Sequence, residues 1–236
     1  MIEYWLEFRL RFLKCLASYL VTVIIYFYCY DWIYQLLISP IIIGNKAVLV
    51  SQDIMDPLVL PLQIASQLSL MTIMPVIIYQ VLAFIRPALY VKERQALNLT
   101  GYFAVGLFYL GVLVSFYLVE PMVLGFAQSW LPKGVLFLPQ ASSYLSFSID
   151  MAIAFGVAFE VPVLLMLGIL SGWVSADWVR ETRAYWVIGI FILAMVLTPP
   201  DVYSQLLLAI PMWGIIEIVL WVSSLFRNKY VIEKIV

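Results

Sequence analysis

The sequence predicts an all-α polytopic membrane protein with six transmembrane helices. Composition is the first observation behind this. Of 236 residues, 65% are hydrophobic and 11% charged, and the mean hydropathy is +1.04, whereas a soluble domain carries about 25% charged residues over its surface. Charge placement is the second. The charged residues bound six nearly uncharged runs, most of about twenty residues, the length that crosses roughly 30 Å of hydrocarbon. These runs lie near 15–37, 58–84, 98–119, 143–170, 184–198 and 202–224, within one membrane domain over 1–236.

The segment "YWLEFRLRFLK" (4–14) leads into the first span. On a helix it sets Glu7 and Arg11 four residues apart, a pairing worth a few tenths of a kcal/mol. The apolar stretch that follows is long, rich in Ile, Tyr and Phe, and has no small-residue cleavage site after it, so it reads as retained and not as a removed signal peptide. Aromatics gather at its outer end (Tyr26, Phe27, Tyr28, Tyr30, Trp32, Tyr34), as in a headgroup-level belt. Cys15 and Cys29 fall on this one predicted helix, roughly 21 Å apart along its axis, and cannot bridge. The loops at 39–57 and 131–143 are too apolar for free linkers and are expected to pack as interfacial caps.

The second span ends in "FIRPALYVKERQ" (84–95). Its basic residues need no role beyond fixing topology. Glu93, between Lys92 and Arg94, is ordinarily explained by a local ion pair of about 0–1 kcal/mol. The alternative is a docking point where an incoming guanidinium makes a bidentate, charge-assisted contact.

The third span stops before Glu120, and the fourth carries Asp150 near its outer end and Glu160 at its middle. Glu120 and Asp150 lie near predicted outer ends, which leaves two readings open: both are solvated, or one of them contacts a partner helix. An ionisable group at the depth of Glu160 costs at least about 2.5–3.5 kcal/mol and should face protein or water. Pro162 beside it removes the hydrogen bond to the Ala158 carbonyl. The fifth span has about fifteen residues between Arg183 and Pro199, roughly 22 Å of helix, too short for an ordinary bilayer. "TPPD" (198–201) reads as a tight turn joining it to the sixth span in a short hairpin. Asp201 fits a helix cap, and Gln205, one turn on, fits interhelical glue.

Lysine and arginine set the orientation. Eleven of the thirteen lie in the N-terminal segment, in the 2–3 and 4–5 loops and after the sixth span, against Lys46 and Lys133 in the other loops. Both termini are therefore expected in the cytoplasm.

The inventory also excludes chemistry. With no histidine and two unpaired cysteines, a His/Cys metal site and a Cys-His or Ser-His nucleophile pair are ruled out. There is no Walker-type phosphate loop and no repeat relating the first three spans to the last three, which weakens an inverted-repeat transporter. By themselves the residues leave open a proton-coupled secondary transporter with Glu160 as carrier, and a purely structural membrane subunit.

Six segments in order nevertheless resemble the TatC subunit of the twin-arginine protein translocase. They are "LEFRLRFL", "SPI" at 39–41, "PVIIYQVLAFIRPALYVKER" at 75–94, "SYLSF" at 143–147, "AFGVAFEVPV" at 154–163 and "TPPDVYSQLLLAIPM" at 198–212. The likeness covers nearly the whole chain. It implies a cupped, glove-like six-helix fold and a non-enzymatic receptor without cofactor or bound metal. Such a receptor binds paired-arginine signal peptides and nucleates a translocase that moves folded proteins at the expense of the proton-motive force.

Carried over by position, the resemblance makes Glu93 the acceptor of signal-peptide arginine, with Glu7 and Arg9 in the same patch, shaped by Phe84, Pro87, Leu89, Tyr90 and Arg94. Arg9 and Arg11 hold the N-terminal helix, and Pro40 orders the first outer loop. Glu160 is the polar spot on the concave wall, and Asp201 and Gln205 belong where partner subunits pack. The implied partners are single-span TatA- and TatB-type subunits, signal-bearing cargo, lipid and further copies in an oligomer, with no nucleic acid. The implied location is a bacterial inner membrane, or the mitochondrial inner or thylakoid membrane. Tyr4 and Lys92 stand where the family usually has histidine, so no group titrating near neutral pH sits there.

Overall fold

The structure is a computed structural model that describes residues 2–45, 54–88, 93–132, 139–170, 172–198 and 202–232. Among these residues the regular elements are all helical: α1 (Ile2–Tyr28), α2 (Tyr30–Asn45), α3 (Asp56–Ile85), α4 (Glu93–Val114), α5 (Glu120–Ser129), α6 (Ala141–Leu170), α7 (Ala176–Glu181), α8 (Arg183–Leu197) and α9 (Val202–Ile232). Five helical segments are long and apolar enough to cross a membrane: Trp5–Tyr28, Asp56–Ile85, Thr100–Ser129, Ala141–Ile169 and Val202–Trp221. Arg183–Leu197 is a shorter apolar helix. The all-α polytopic membrane class follows. Two compact units are distinguished: Met1–Phe84 with Val123–Ile153, and Ile85–Met122 with Ala154–Val236.

In the first unit, α1 begins ten or more residues before the expected edge of the first span, because "YWLEFRLRFLK" continues the same helix. It ends at Tyr28, one residue before Cys29, and α2 then runs through Pro40 to Asn45. The expected helix over 15–37 is therefore split, and the stretch expected to open an outer loop is helical up to Asn45. No proline or glycine marks the break, and hydropathy does not report a bend.

α1 and α3 run antiparallel: Tyr26 bonds Thr72 across them at 2.6 Å, and Phe8 meets Phe84 edge-on at 6.2 Å. α3 runs parallel to α6 along three polar rungs. Gln140 Nε2 donates to Asp56 Oδ2 at 3.2 Å, Gln63 Nε2 to Ser146 Oγ at 2.8 Å, and Gln67 Nε2 to Asp150 Oδ1 at 2.6 Å. Between hydrophobic helices in lipid such bonds are worth roughly 0.6–2 kcal/mol each. Asp150, for which the sequence leaves solvation and a partner-helix contact both open, is exposed and takes the hydrogen bond of Gln67 within the chain.

In the second unit, α4 passes Phe108 against α6, whose Phe155 and Phe159 are fully buried. Contact this close depends on glycine. A Cβ on Gly111 would lie 2.6 Å from the Phe155 carbonyl oxygen, and one on Gly156 would lie 2.5 Å from the Phe108 ring. Beyond Val114 the third span does not stop at 119 as expected. A π-turn over Ser115–Val119, in which the Glu120 N–H reaches the Ser115 carbonyl, carries the helix into α5. The wider turn sits just before Pro121, which has no N–H to give to the Tyr117 carbonyl. Glu120 is correspondingly 3% exposed and not solvated.

Gly172, at φ +71°, ends α6: its N–H reaches Ile169 O, and Trp173 N–H reaches Gly168 O at 2.9 Å, a Schellman closure. Ser175 caps α7 by accepting from Trp178 N–H at 3.1 Å. α8 and α9 then pair antiparallel. Arg183 Nη2 donates to Glu217 Oε2 at 3.0 Å and Arg180 Nη2 to the Leu220 carbonyl at 3.1 Å. Thr198, extended as a residue before proline must be, closes α8 by returning its N–H to Ala194 O at 2.9 Å.

Candidate functional site

The best-defined polar arrangement is built on Arg11. The i,i+4 spacing on α1 brings Arg11 Nη2 to Glu7 Oε1 at 2.6 Å and Nε to the same oxygen at 3.0 Å. The antiparallel packing of α1 on α3 brings Arg11 Nη1 to Gln80 Oε1 at 3.1 Å and Nη2 to the Ala83 carbonyl at 3.2 Å. Four hydrogen bonds thus fix one partly buried guanidinium between two helices. The local ion pair expected from spacing forms, and it is one edge of a larger clamp.

The clamp has a chemical consequence. Both Arg11 bonds to Glu7 end on Oε1, so among the described residues Oε2 accepts no hydrogen bond. A carboxylate half satisfied in this way retains acceptor capacity for a second donor. Arg9, two residues on, is exposed, and Phe84 stands partly exposed against Phe8. Glu7, Arg11 and Phe84 are therefore brought together in the first unit, with Arg9 on the same helix.

α3 passes directly into a single 3₁₀ turn, Arg86–Ala88, in which Arg86 and Pro87 are exposed. Leu89 and Tyr90 lie outside the described residues. Glu93 opens α4 and Arg94 follows it, but their side chains are outside the described set, as are those of Pro40 in α2 and all of Asp201. Gln205 sits half-buried in the first turn of α9.

Glu160 lies between fully buried Phe159 and half-buried Val161 on α6, itself half-buried. Its Oε1 is enclosed and has no hydrogen-bond partner among the described residues. Ser115 Oγ, at the π-turn of the same unit, is likewise enclosed and unpartnered. Among the described residues no group of three or more His, Cys, Asp or Glu could hold a metal ion.

Sequence reasoning did not find Gln80, the second anchor of Arg11. Nor did it find Gln63 and Gln67, although two amides four residues apart in an apolar run are a stripe on one helix face. The Arg183–Glu217 pair joins positions 34 apart and left no local signal.

Comparison with known proteins gives this arrangement its context. Residues 3–211 match the family model for the Sec-independent protein translocase protein (TatC). The TatC protein of Escherichia coli (strain K12) is 37% identical over 231 residues, 97% of this chain and 90% of the relative. That of Azotobacter chroococcum mcd 1 is 36% identical over 231 residues, 97% and 91% respectively. Among solved structures, the crystal structure of the Twin Arginine Translocase Receptor- TatC in DDM superposes with a TM-score of 0.80 at 28% identity, covering 93% of this chain and 99% of that one. These matches support the translocase reading and give no support to the secondary transporter. This chain is an integral membrane protein and belongs to the TatC family of Sec-independent protein translocase proteins.

Proposed function

We propose that the chain is the receptor for twin-arginine signal peptides and the nucleus of a translocase that moves folded proteins, driven by the proton-motive force. The observation that carries this reading is the family match along the chain, joined to the half-satisfied carboxylate of Glu7. Glu93 accepts signal-peptide arginine and Glu7 contributes its remaining acceptor capacity. Two guanidinium groups meet such acceptors in planar, bidentate fashion, which a compact lysine ammonium cannot reproduce. Phe84, Pro87, Leu89, Tyr90 and Arg94 shape the patch, and Arg9 lies beside it. Arg11 and Pro40 serve as positioning residues.

In the same reading Glu160 meets the apolar part of the signal peptide, while Asp201 and Gln205 lie where TatA- and TatB-type single-span subunits pack. The chain works in a bacterial inner membrane with both termini in the cytoplasm, as part of an oligomer, and as a binding subunit without catalysis of its own. Co-purification with a folded reporter bearing a twin-arginine signal tests the whole. Cargo should be retained with the arginine pair and lost with a lysine pair, and equal retention of both would count against a receptor of this specificity.

A further inference from the structure

We propose that the groove formed by α7, α8 and α9 with one residue of α6 binds a single zwitterionic, amine-bearing glycerophospholipid of the phosphatidylethanolamine class. The groove encloses about 580 Å³. Its walls include Trp178, Tyr185, Trp186, Gly189, Leu193 and Met212, and they are almost wholly apolar. Volume and lining are those of a small-molecule pocket.

Depth selects the tail. From Tyr185 to Leu193 the groove follows nine residues of α8, roughly 12 Å of rise, close to half of a hydrocarbon core about 30 Å thick. An acyl chain from one leaflet has that reach, whereas a bilayer-crossing helix extends well past both ends. The same helix, Arg183–Leu197, is too short to span the core, and a lipid held along it covers apolar wall that the mismatch leaves open. Trp178 and Trp186, edge to face at 6.3 Å, stand at the end where aromatic side chains mark the headgroup boundary.

Charge selects the headgroup. Among the described residues, Arg180 and Arg183 stand at the Tyr185 end with the carboxylates of Asp177, Glu181 and Glu217. Arg183 meets Glu217 at 3.0 Å with 50% and 35% of the two side chains exposed, and Arg180 meets Asp177 at 3.6 Å. Among the described side chains this rim offers acids beside its guanidinium groups, so a headgroup that is only anionic meets repulsion as well as attraction. A headgroup carrying both phosphate and ammonium finds a guanidinium for the first and a carboxylate for the second.

Native mass spectrometry of the full chain, released from detergent after equilibration with equal amounts of phosphatidylethanolamine and phosphatidylglycerol, tests this. The ethanolamine lipid should be retained about threefold over the glycerol lipid, the scale an exposed ion pair supplies. Glu217→Gln should bring the ratio to parity or reverse it. Gly189→Leu, whose added Cβ meets nothing within 4 Å, should fill the groove and abolish retention of both lipids while thermal unfolding stays at the wild-type temperature. Equal retention by the wild-type chain, or unchanged retention in Gly189→Leu, overturns the proposal. So does a photoreactive group at Leu193 that captures a protein subunit in place of lipid.

Discussion

Arg11 and Gln80, 69 residues apart, are joined at 3.1 Å, and through this contact α3 fixes the guanidinium that holds Glu7. Arg11 cannot satisfy Gln80, Ala83 and Glu7 together unless α1 keeps its register on α3. The geometry of Glu7 is thus set by a residue outside its own helix.

Gln80→Leu should consequently weaken binding of a twin-arginine peptide by about fivefold, near 1 kcal/mol for one partly buried hydrogen bond to a charged group. Gln80→Glu, which keeps an acceptor facing Arg11, should restore it. A peptide titration by fluorescence anisotropy reads both. Equal affinities for wild type and Gln80→Leu would show that Glu7 does not depend on the clamp.

Close approach of α4 and α6 in the second unit predicts a graded stability series. Gly111→Ala drives its Cβ into the Phe155 backbone at 2.6 Å, which cannot rotate away. A cost of about 1–3 kcal/mol is expected, seen as a lower unfolding temperature in detergent. Gly125→Ala, with nothing within 4 Å of the new atom, is the matched control and should not fall below wild type.

Gly172 at φ +71° closes α6, and alanine there is strained whatever space surrounds it. Gly172→Ala should cost about 1–2 kcal/mol, with asparagine tolerated better than alanine. Thermal scans of the three proteins decide it, and equal midpoints would mean that the turn relaxes without penalty.

The Gln67–Asp150 rung predicts asymmetry between two substitutions. Asp150→Leu leaves the Gln67 amide without its acceptor and should destabilise by roughly 1 kcal/mol, whereas Asp150→Asn keeps an oxygen in place and should cost less. Denaturation of both variants in the same detergent measures the difference.

Much of this architecture was legible from residues alone, because lipid demands apolar helices of fixed length and the charged residues had nowhere else to go. Features that depend on contact across the chain were not. The split at Cys29 has no punctuating residue, and burial of Glu120 follows from the π-turn that Pro121 accompanies, where a charge next to proline reads more naturally as a helix end. Glu7 and Arg11 announced themselves by spacing, while Gln80 did not, since an isolated amide in an apolar run acquires meaning only when α1 lies beside it.

The most direct measurement of the central claim is the affinity of Glu93→Gln for a twin-arginine signal peptide, set against a twin-lysine peptide. Loss of a charge-assisted, bidentate acceptor is worth about 1.5–3 kcal/mol, so arginine-peptide binding should fall tenfold or more and its advantage over the lysine peptide should collapse. Undiminished affinity in the substituted protein, with the arginine preference intact, would contradict the account.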